Sequence, residues 1–137
     1  MDKIRPATWD RDTGPFFAAA KEGRLTYCRC TGCGRGNHVP VPSCKFCGQA
    51  TEWVEAEGKG SLYTWTTIPH QVHPAYPAPY TVVIVTLDEA PDVRLTGMIV
   101  GAPELAAGQA MDLWFEDNGL GDVLPNWRPT GHEGEAA

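Results

Sequence analysis

The chain contains 137 residues and carries a formal net charge of −6. Its length predicts one domain, or a small domain with a metal-held appendage. The acidic charge argues against a protein that follows a nucleic-acid phosphate backbone. No apolar run approaches the roughly 20 residues that span a bilayer, and the N-terminus lacks the apolar core of a secretory signal. We therefore expect a soluble, cytoplasmic protein without a membrane partner.

Residues 1–25 are predicted to form an N-terminal arm followed by a short helix. Thr13 is a candidate helix cap, and Pro15 fits the first helical turn. Gly23 is a natural stop, because glycine readily adopts the positive φ that ends many helices. The predicted helix has about two turns, so packing against the rest of the protein must stabilise it.

Four of the five cysteines form two C-x-x-C-G units, at 30–34 and 44–48, within a predicted zinc ribbon at 26–50. A C-x-x-C turn brings two sulfurs to one metal, and the following glycine permits a positive φ. Two such turns predict a closed tetrahedral site of structural zinc with the ligands Cys30, Cys33, Cys44 and Cys47. Metal binding then supplies the folding energy of the ribbon. Iron is the alternative metal, whereas a thioredoxin-like redox pair would require a βαβ context that the sequence lacks.

Cys28 is the fifth cysteine. The Cys28-Arg29-Cys30 sequence offers it as an alternative ligand, but this choice breaks the symmetry of the two C-x-x-C-G units. We therefore predict that Cys28 is a strand residue beside the ribbon. The odd number of cysteines, in a chain without an export signal, also argues against a disulfide framework.

Residues 51–129 predict a mainly β domain, because short β-rich runs alternate with turn signals and no βαβ pattern occurs. A five-stranded OB-fold barrel is the most economical arrangement. The predicted strands are 51–56, 61–68, 80–87, 93–100 and 110–116, with a hairpin turn at 88–92 and one helical turn at 103–107. The tryptophans at 53, 65, 114 and 127 are predicted to lie in or near the core. Residues 130–137 are predicted to form a flexible tail.

The order of the motifs resembles one known family over residues 8–129. The helix ends in Glu22-Gly23-Arg24-Leu25, the two C-x-x-C-G units follow, and a strand begins with Gly58-Lys59-Gly60. Pro79-Tyr80-Thr81-Val82-Val83 then leads into the next strand. This order is similar to an acyl-CoA-associated family in which a rubredoxin-like zinc ribbon is joined to an OB-fold. Its members often carry Pro-Pro-Arg before the second cysteine pair, where this chain has Val39-Pro40-Val41-Pro42-Ser43.

The resemblance implies a non-catalytic accessory subunit of a thiolase-like acyl-CoA enzyme. One branch of the family pairs with a lipid-transfer-protein-like aldolase, which cleaves a β-hydroxyacyl-CoA by a retro-aldol reaction in steroid side-chain degradation. Another branch binds CoA and bridges a thiolase and an acyl-CoA synthase. We expect the aldolase-type partner, in a hetero-tetramer or larger complex that shares the acyl-CoA. A nucleic-acid-binding OB module and a stand-alone acyl-CoA enzyme are alternatives from other functional classes.

Candidate contacts with CoA or a partner lie outside the ribbon. Lys59 lies between two glycines, where a phosphate can approach the backbone closely. The proline-rich loop 69–79 suits docking or a ligand channel, although a solvated loop, a catalytic histidine or a second metal site is also possible. Arg94 can pair with Asp92 or reach a partner, and Trp127, beyond the last predicted strand, can anchor the tail or a partner. The full set is Lys59, His70, His73, Tyr76, Arg94 and Trp127.

Overall fold

A computed structural model describes residues 5–131, so the predictions for 1–4 and for the tail from 132 onward lie outside the described residues. The described chain is mainly β with one short helix, which confirms the predicted fold class. The elements are α1 (Gly14–Lys21), β1 (Leu25–Cys30), β2 (Gly36–Asn37), β3 (Thr51–Ala56), β4 (Lys59–Ile68), β5 (Tyr80–Leu87), β6 (Ala90–Val100), β7 (Ala110–Asp117) and β8 (Val123–Pro129). No helix in this described part is long and apolar enough to cross a membrane.

Helix α1 follows Thr13 and ends at the predicted glycine, since Gly23 has a φ of 77°. The Thr13 side chain does not cap the helix. Its hydroxyl instead donates to the carbonyl of Ala7 at 2.9 Å and contacts the carboxylate of Asp10. Ala19 and Ala20 are buried where the helix packs between β1 and β8. The helix is therefore held by packing, as its short length requires.

Strands β1, β2 and β3 form a small antiparallel sheet in the order β2-β1-β3. Strand β1 lies in the middle, with Cys28 opposite Asn37 of β2 and opposite Trp53 of β3. The structure thus corrects the place of strand 51–56, which we predicted in the barrel. Because β1 needs a partner along its whole length and β2 has only two residues, β3 supplies the rest of the backbone pairing.

The five-stranded OB sheet has the order β6-β5-β4-β7-β8, with every pair antiparallel. Its fifth strand is β8, which the sequence did not predict. Proline cannot donate to a strand ladder and is therefore tolerated mainly on edge strands. Strand β8 contains Pro125 and Pro129, and within residues 5–131 its only strand partner is β7.

The core of the barrel is filled by side chains of all five strands of the OB sheet together with β1. Alternate residues of β5 are buried, and Trp127 of β8 is only 1% exposed. The buried cluster includes Leu25, Tyr27, Leu62, Val83, Val85, Leu87, Val93, Met111 and Trp127. The partner contact predicted for Trp127 is therefore wrong, because its side chain packs inside the barrel. Trp65, in contrast, is 36% exposed, although its placement predicted a core or near-core residue.

A side chain links β6 to β8 where no strand ladder joins them. The Oδ1 atom of Asn126 accepts from the Met98 amide at 2.8 Å, and its Nδ2 donates to the Met98 carbonyl at 3.0 Å. Gly97 leaves room for this contact, since a Cβ there would lie 2.8 Å from the Asn126 Oδ1. Asn126 thus takes the place of a backbone ladder at the junction between β6 and β8.

Two connections differ from their predictions. The helical turn predicted at 103–107 is absent from the described chain, where Ala106 donates to the Gln109 Oε1 at 2.7 Å and Gln109 donates back to the Ala106 carbonyl at 3.1 Å. These bonds satisfy the backbone without a helix. The hairpin after β5 is also tighter than predicted, because β6 begins at Ala90.

Candidate functional site

The four cysteines of the C-x-x-C-G units converge on one point between the two turns. Their Sγ atoms all lie within 4.8 Å of one another. The Cys30 and Cys47 sulfurs are 3.4 Å apart, and the Cys33 and Cys44 sulfurs are 3.8 Å apart. Tetrahedral zinc with Zn–S bonds of about 2.3 Å places its sulfurs about 3.8 Å from each other. The cluster therefore fits a four-coordinate zinc ion.

Backbone amides of both turns point at the cysteine sulfurs. The amides of Gly32 and Cys33 donate to the Cys30 Sγ at 3.2 and 3.3 Å, and the Phe46 amide donates to the Cys44 Sγ at 3.3 Å. Such bonds stabilise thiolates, the form in which cysteine binds a metal. The positive φ values of Gly34 (78°) and Gly48 (82°) complete the two turns, as the sequence predicted.

Asn37 is a fully buried residue beside the cluster that the sequence analysis did not single out. Its Nδ2 donates to the Cys44 Sγ at 3.4 Å, and its Oδ1 accepts from the Lys45 amide at 2.9 Å. Burial alone would raise the pKa of Cys44. The hydrogen bonds from Asn37 and the backbone outweigh this effect and lower that pKa to about 6. Asn37 therefore both orients the second turn and favours the Cys44 thiolate.

Cys28 lies in β1 and is 4% exposed, outside the group of four sulfurs. Burial raises the pKa of its thiol, which disfavours the thiolate form that binds a metal. Its position matches the strand residue that we predicted beside the ribbon.

A charged contact joins the ribbon to the barrel. The Arg35 guanidinium forms two hydrogen bonds with the Asp92 carboxylate of β6, at 2.9 and 3.0 Å. The same guanidinium lies over the Phe46 ring, with its carbon 3.4 Å from the ring centroid. Phe46 lies between two metal ligands, so the metal site, Arg35 and β6 form one continuous contact.

The loop at 69–79 gathers three of the predicted contact residues. His70 is exposed, whereas the half-buried His73 accepts the Ala75 amide on its Nδ1 at 3.0 Å. The Tyr76 ring lies 6.3 Å from the His73 ring and 5.8 Å from the Tyr80 ring, between centroids. The loop is therefore ordered by local contacts around Tyr76.

Lys59 lies on β4 and Arg94 lies on β6, and their contacts are with residues outside the 69–79 loop. The Lys59 Nζ is 3.6 Å from the Asp112 Oδ1, and the Lys59 side chain is 67% exposed. The Arg94 guanidinium lies over the Tyr63 ring, 4.0 Å from the centroid. The predicted pairing of Asp92 is instead with Arg35.

A cavity of about 370 Å³ lies beside the Asn126 junction and is walled on one side by the loop residues Ala75 and Tyr76. Most of its wall is apolar, with Val82, Met98 and Leu124. The carboxylate of Glu116 and the amide of Asn126 are polar groups of the lining. The cavity therefore suits an uncharged, largely apolar group better than a phosphate.

Comparison with known proteins agrees with this two-part architecture. A family model described as "ChsH2, rubredoxin-like zinc ribbon domain" matches residues 17–52, and one described as "ChsH2, C-terminal OB-fold domain" matches residues 53–116. The solved structure named "Ltp2-ChsH2(DUF35) aldolase" contains a chain that is 36% identical, with a TM-score of 0.80. The match covers 91% of this chain and 98% of that chain.

The chain belongs to the ChsH2 family. Membership confirms the predicted resemblance, with a rubredoxin-like zinc ribbon followed by an OB-fold. It also confirms structural zinc as the cofactor, because the four clustered cysteines lie in or beside the two turns of that ribbon.

Two further relatives extend the comparison. The protein named "Probable enoyl-CoA hydratase alpha subunit" from Thermomonospora curvata is 40% identical over 131 residues, which is 91% of this chain. The ChsH2-family chain spans only 39% of that protein's length. A crystal structure of a DUF35-family protein of unknown function from Sulfolobus solfataricus has a TM-score of 0.61 at 16% identity. That match covers 77% of this chain and 81% of the other, and it shows the shared fold alone.

The contacts that sequence reasoning missed share one property: each is made by a single side chain whose partner is distant along the chain or hidden in a turn. Asn37 and Asn126 are buried asparagines, and Arg35 reaches Asp92 across 57 positions. The only signal for Asn37 was its place between the two cysteine pairs of this ChsH2-family ribbon.

Proposed function

We propose that this ChsH2-family chain is a non-catalytic, zinc-binding accessory subunit of a thiolase-like acyl-CoA enzyme. Its partner is a lipid-transfer-protein-like aldolase that cleaves a β-hydroxyacyl-CoA by a retro-aldol reaction, with a steroid side chain as the acyl group. The observation that carries this proposal is the likeness to the Ltp2-ChsH2 aldolase chain, which extends over nearly the full length of both chains.

The packing of the barrel supports placing the chemistry in the partner. Catalysis requires a concave site in which substrate meets a positioned acid, base or nucleophile. The interior of this barrel is instead filled by Leu62, Val83, Val85, Met111 and Trp127, each at most 1% exposed. A substrate therefore has to bind at the surface or at the interface with another subunit.

The candidate contacts divide by chemistry on this proposal. Lys59 and Arg94 are exposed cations on the strands and suit the phosphates of CoA or acidic groups of the partner. Tyr76 lines the 370 Å³ cavity, where apolar walls and the Glu116 carboxylate favour the acyl portion over the phosphates. His70 and His73 belong to the same loop and are assigned to partner docking.

Co-expression with a lipid-transfer-protein-like aldolase of the thiolase fold tests the proposal. We expect a complex of both chains by native mass measurement, with retro-aldol cleavage of a β-hydroxyacyl-CoA by the complex. The purified chain alone should be inactive and should contain one zinc. Cleavage by the isolated chain, or separate elution of the two proteins at micromolar concentration, would refute the assignment as an accessory subunit.

The name of the Thermomonospora relative favours a second candidate, a subunit of an enoyl-CoA hydratase. Hydration of an enoyl-CoA yields a β-hydroxyacyl-CoA, which is the substrate class of a retro-aldolase. The two candidates therefore act on the same type of thioester and differ in the bond that changes. Incubating the complex with an enoyl-CoA and with a β-hydroxyacyl-CoA, followed by mass spectrometry of the products, separates water addition from carbon–carbon cleavage.

A further inference from the structure

Strand β4 is paired on both sides over only part of its length. Its ladder with β5 continues to Ile68, but its ladder with β7 covers only Lys59–Ser61. On the β7 side the last backbone bonds belong to Leu62, which accepts from Gly108 and donates to Gln109 at 2.8 and 2.9 Å. From 63 to 68, the described chain places no strand on that side. We call the segment 63–68 the open edge.

The open edge is also uncovered on its faces. Each residue from 63 to 67 is exposed, although adjacent strand residues point to opposite faces of a sheet. Trp65 lies opposite the buried Val83 and so belongs to the core face, whereas Thr66 lies opposite Val82 on the outer face. Both faces and one hydrogen-bonding side of this strand are therefore open to solvent.

The composition of the open edge makes this exposure unusual. Tyr-Thr-Trp-Thr-Thr-Ile contains only aromatic and β-branched residues, with no charge and no proline. These are the residues that favour strand pairing. Natural proteins usually protect such an edge with lysine, proline, a bulge or a covering segment. The irregularity between Leu62 and Thr64 lies at the start of the open edge and leaves the following residues regular.

We propose that the open edge is a docking site that adds one extended strand from a partner protein to the OB sheet. The inference rests on the proposed function, because the partner is the aldolase-type subunit with which this chain forms a complex. Strand addition binds through backbone hydrogen bonds, and the alternating side chains then supply specificity. Six residues give an edge about 20 Å long, enough for a strand of ordinary length.

A second copy of this chain fits the open edge less well. If two copies paired through 63–68, each would add a strand whose own faces are exposed, so Trp65 and Thr66 of both copies would remain in contact with water. Two copies would also bring together two chains with a formal charge of −6 each. A strand that belongs to a different folded protein satisfies the edge and brings neighbouring structure to cover its faces.

The complementary strand is defined by the chemistry of the open edge. The partner strand must offer free backbone N–H and C=O groups along one side over about six residues. It therefore contains no proline within that run. Uncharged β-branched or aromatic residues pair best with Thr64, Thr66 and Trp65 across the new ladder. The Arg94–Tyr63 contact at the start of the edge favours an acidic or aromatic residue at that end of the partner strand.

Hydrogen–deuterium exchange of the isolated chain and of the co-expressed complex tests the proposal. In the isolated zinc-loaded chain, the peptide that covers 63–68 should exchange some of its amides rapidly, because only the bonds to β5 protect it. In the complex with the thiolase-fold subunit, the same peptide should become protected by at least tenfold in rate. The hairpin of β7 and β8 serves as an internal reference, because its ladder pairs every residue from 111 to 117 with a residue of β8.

Substitutions at the open edge test the same point by affinity. Thr66→Lys adds a charge to the edge and should weaken the complex by at least tenfold in Kd, whereas Thr8→Lys adds the same charge at an exposed position outside the sheet. Thr66→Pro and Thr67→Pro form a second pair. Amides of neighbouring strand residues point to opposite sides, so one of the two substitutions removes an amide bonded to β5 and the other removes an amide that points to the open side. The variant that loses the outward amide should keep the thermal stability of the chain and still fail to bind the partner.

The outcomes separate this inference from the proposed function. Three results together support both the strand docking and the accessory role. They are slower amide exchange of 63–68 in the complex, weak partner binding by Thr66→Lys, and unchanged partner binding by Thr8→Lys. A complex whose 63–68 peptide exchanges as in the free chain, and which Thr66→Lys forms normally, overturns the strand docking and leaves the accessory role intact. Failure of the two proteins to associate overturns both. A concentration-dependent dimer of the isolated chain that Thr66→Lys abolishes identifies a second copy as the occupant and overturns the assignment to a partner.

Discussion

Replacing Asn126 by alanine should open the junction between β6 and β8. The Oδ1 atom accepts from the amides of Met98 and Trp127, both at 2.8 Å. The Nδ2 atom donates to the Met98 carbonyl and to the Glu116 Oε1, both at 3.0 Å. Because Asn126 is only 5% exposed, water does not readily replace these partners. Alanine therefore leaves backbone groups of both strands without a hydrogen bond.

The magnitude follows from the number of bonds that the buried amide makes. Each such bond contributes about 1 kcal/mol net, and a buried group left unsatisfied costs about 1–3 kcal/mol. Since Glu116 is half-buried and can turn to water, we count the three backbone bonds and expect a loss of about 3 kcal/mol. For a chain of this size, that corresponds to a fall in Tm of about 10 °C.

Urea denaturation of the zinc-loaded protein, followed by circular dichroism, measures this loss. Glu116→Gln is the matched control, because its amide oxygen still accepts from Asn126, and its free energy of unfolding should change by less than about 0.5 kcal/mol. Gly97→Ala tests the same contact from β6, where the new Cβ would lie 2.8 Å from the Asn126 Oδ1. A loss below about 1 kcal/mol for Asn126→Ala would show that the barrel closes without this side chain.

Three further predictions concern the metal site and the N-terminal arm. Asn37→Ala should retain one zinc but weaken zinc affinity by about 10–100-fold, measured by chelator competition, because its bond to the Cys44 sulfur is lost. Cys28→Ser should retain a full equivalent of zinc by metal analysis; a loss of zinc would make Cys28 a ligand. Hydrogen bonds from Arg5 and Asn118 lower the pKa of Asp122, so its stabilising effect is present above its unfolded pKa and is lost as the pH falls through the lowered value. Asp122→Asn should therefore flatten the loss of stability that urea titrations detect below about pH 4, and an unchanged acid limb would contradict this role.

The parts of the fold that the sequence predicted are those encoded by short, local patterns. The spacing within 30–34 and 44–48 fixes two metal-binding turns whatever the rest of the chain does. The run of β-branched residues at 80–87 likewise predicts strand β5, although its apolar centre suggested burial on both faces and the structure buries alternate residues. Strand β8 was missed because Pro125 and Pro129 are strand breakers by local criteria, and only its edge position in the sheet makes them acceptable.

Features that depend on distant partners could not be predicted in this way. The place of strand 51–56 is decided by the need of β1 for a second partner, which no local pattern reports. Trp65 reads as a core residue by type, yet it lies where β4 extends beyond its pairing with β7 and is therefore exposed. Trp65 thus lies, with the more exposed Tyr63, on the part of β4 that the rest of the sheet leaves uncovered.

Zinc removal should destabilise the barrel as well as the ribbon, because the two share a core. Leu25 and Tyr27 of β1 belong to the same buried cluster as Val93 and Leu95 of β6. Gly36 of β2 packs so closely on β6 that a Cβ there would lie 2.5 Å from a methyl group of Val93. Loss of the metal frees both cysteine turns. It therefore also loosens the part of the shared core that lies next to the ribbon.

Thermal unfolding with and without a chelator measures this coupling. We expect the near-ultraviolet circular dichroism of the aromatic core and the release of zinc to follow one transition in the loaded protein. Chelation should then shift that transition of the core to lower temperature. The variant Asp92→Asn keeps every zinc ligand but weakens the ionic contact between Arg35 and β6, so it should reduce the shift while the zinc content stays at one. Two separate transitions, with the core signal unaffected by the chelator, would show that the ribbon and the barrel fold independently.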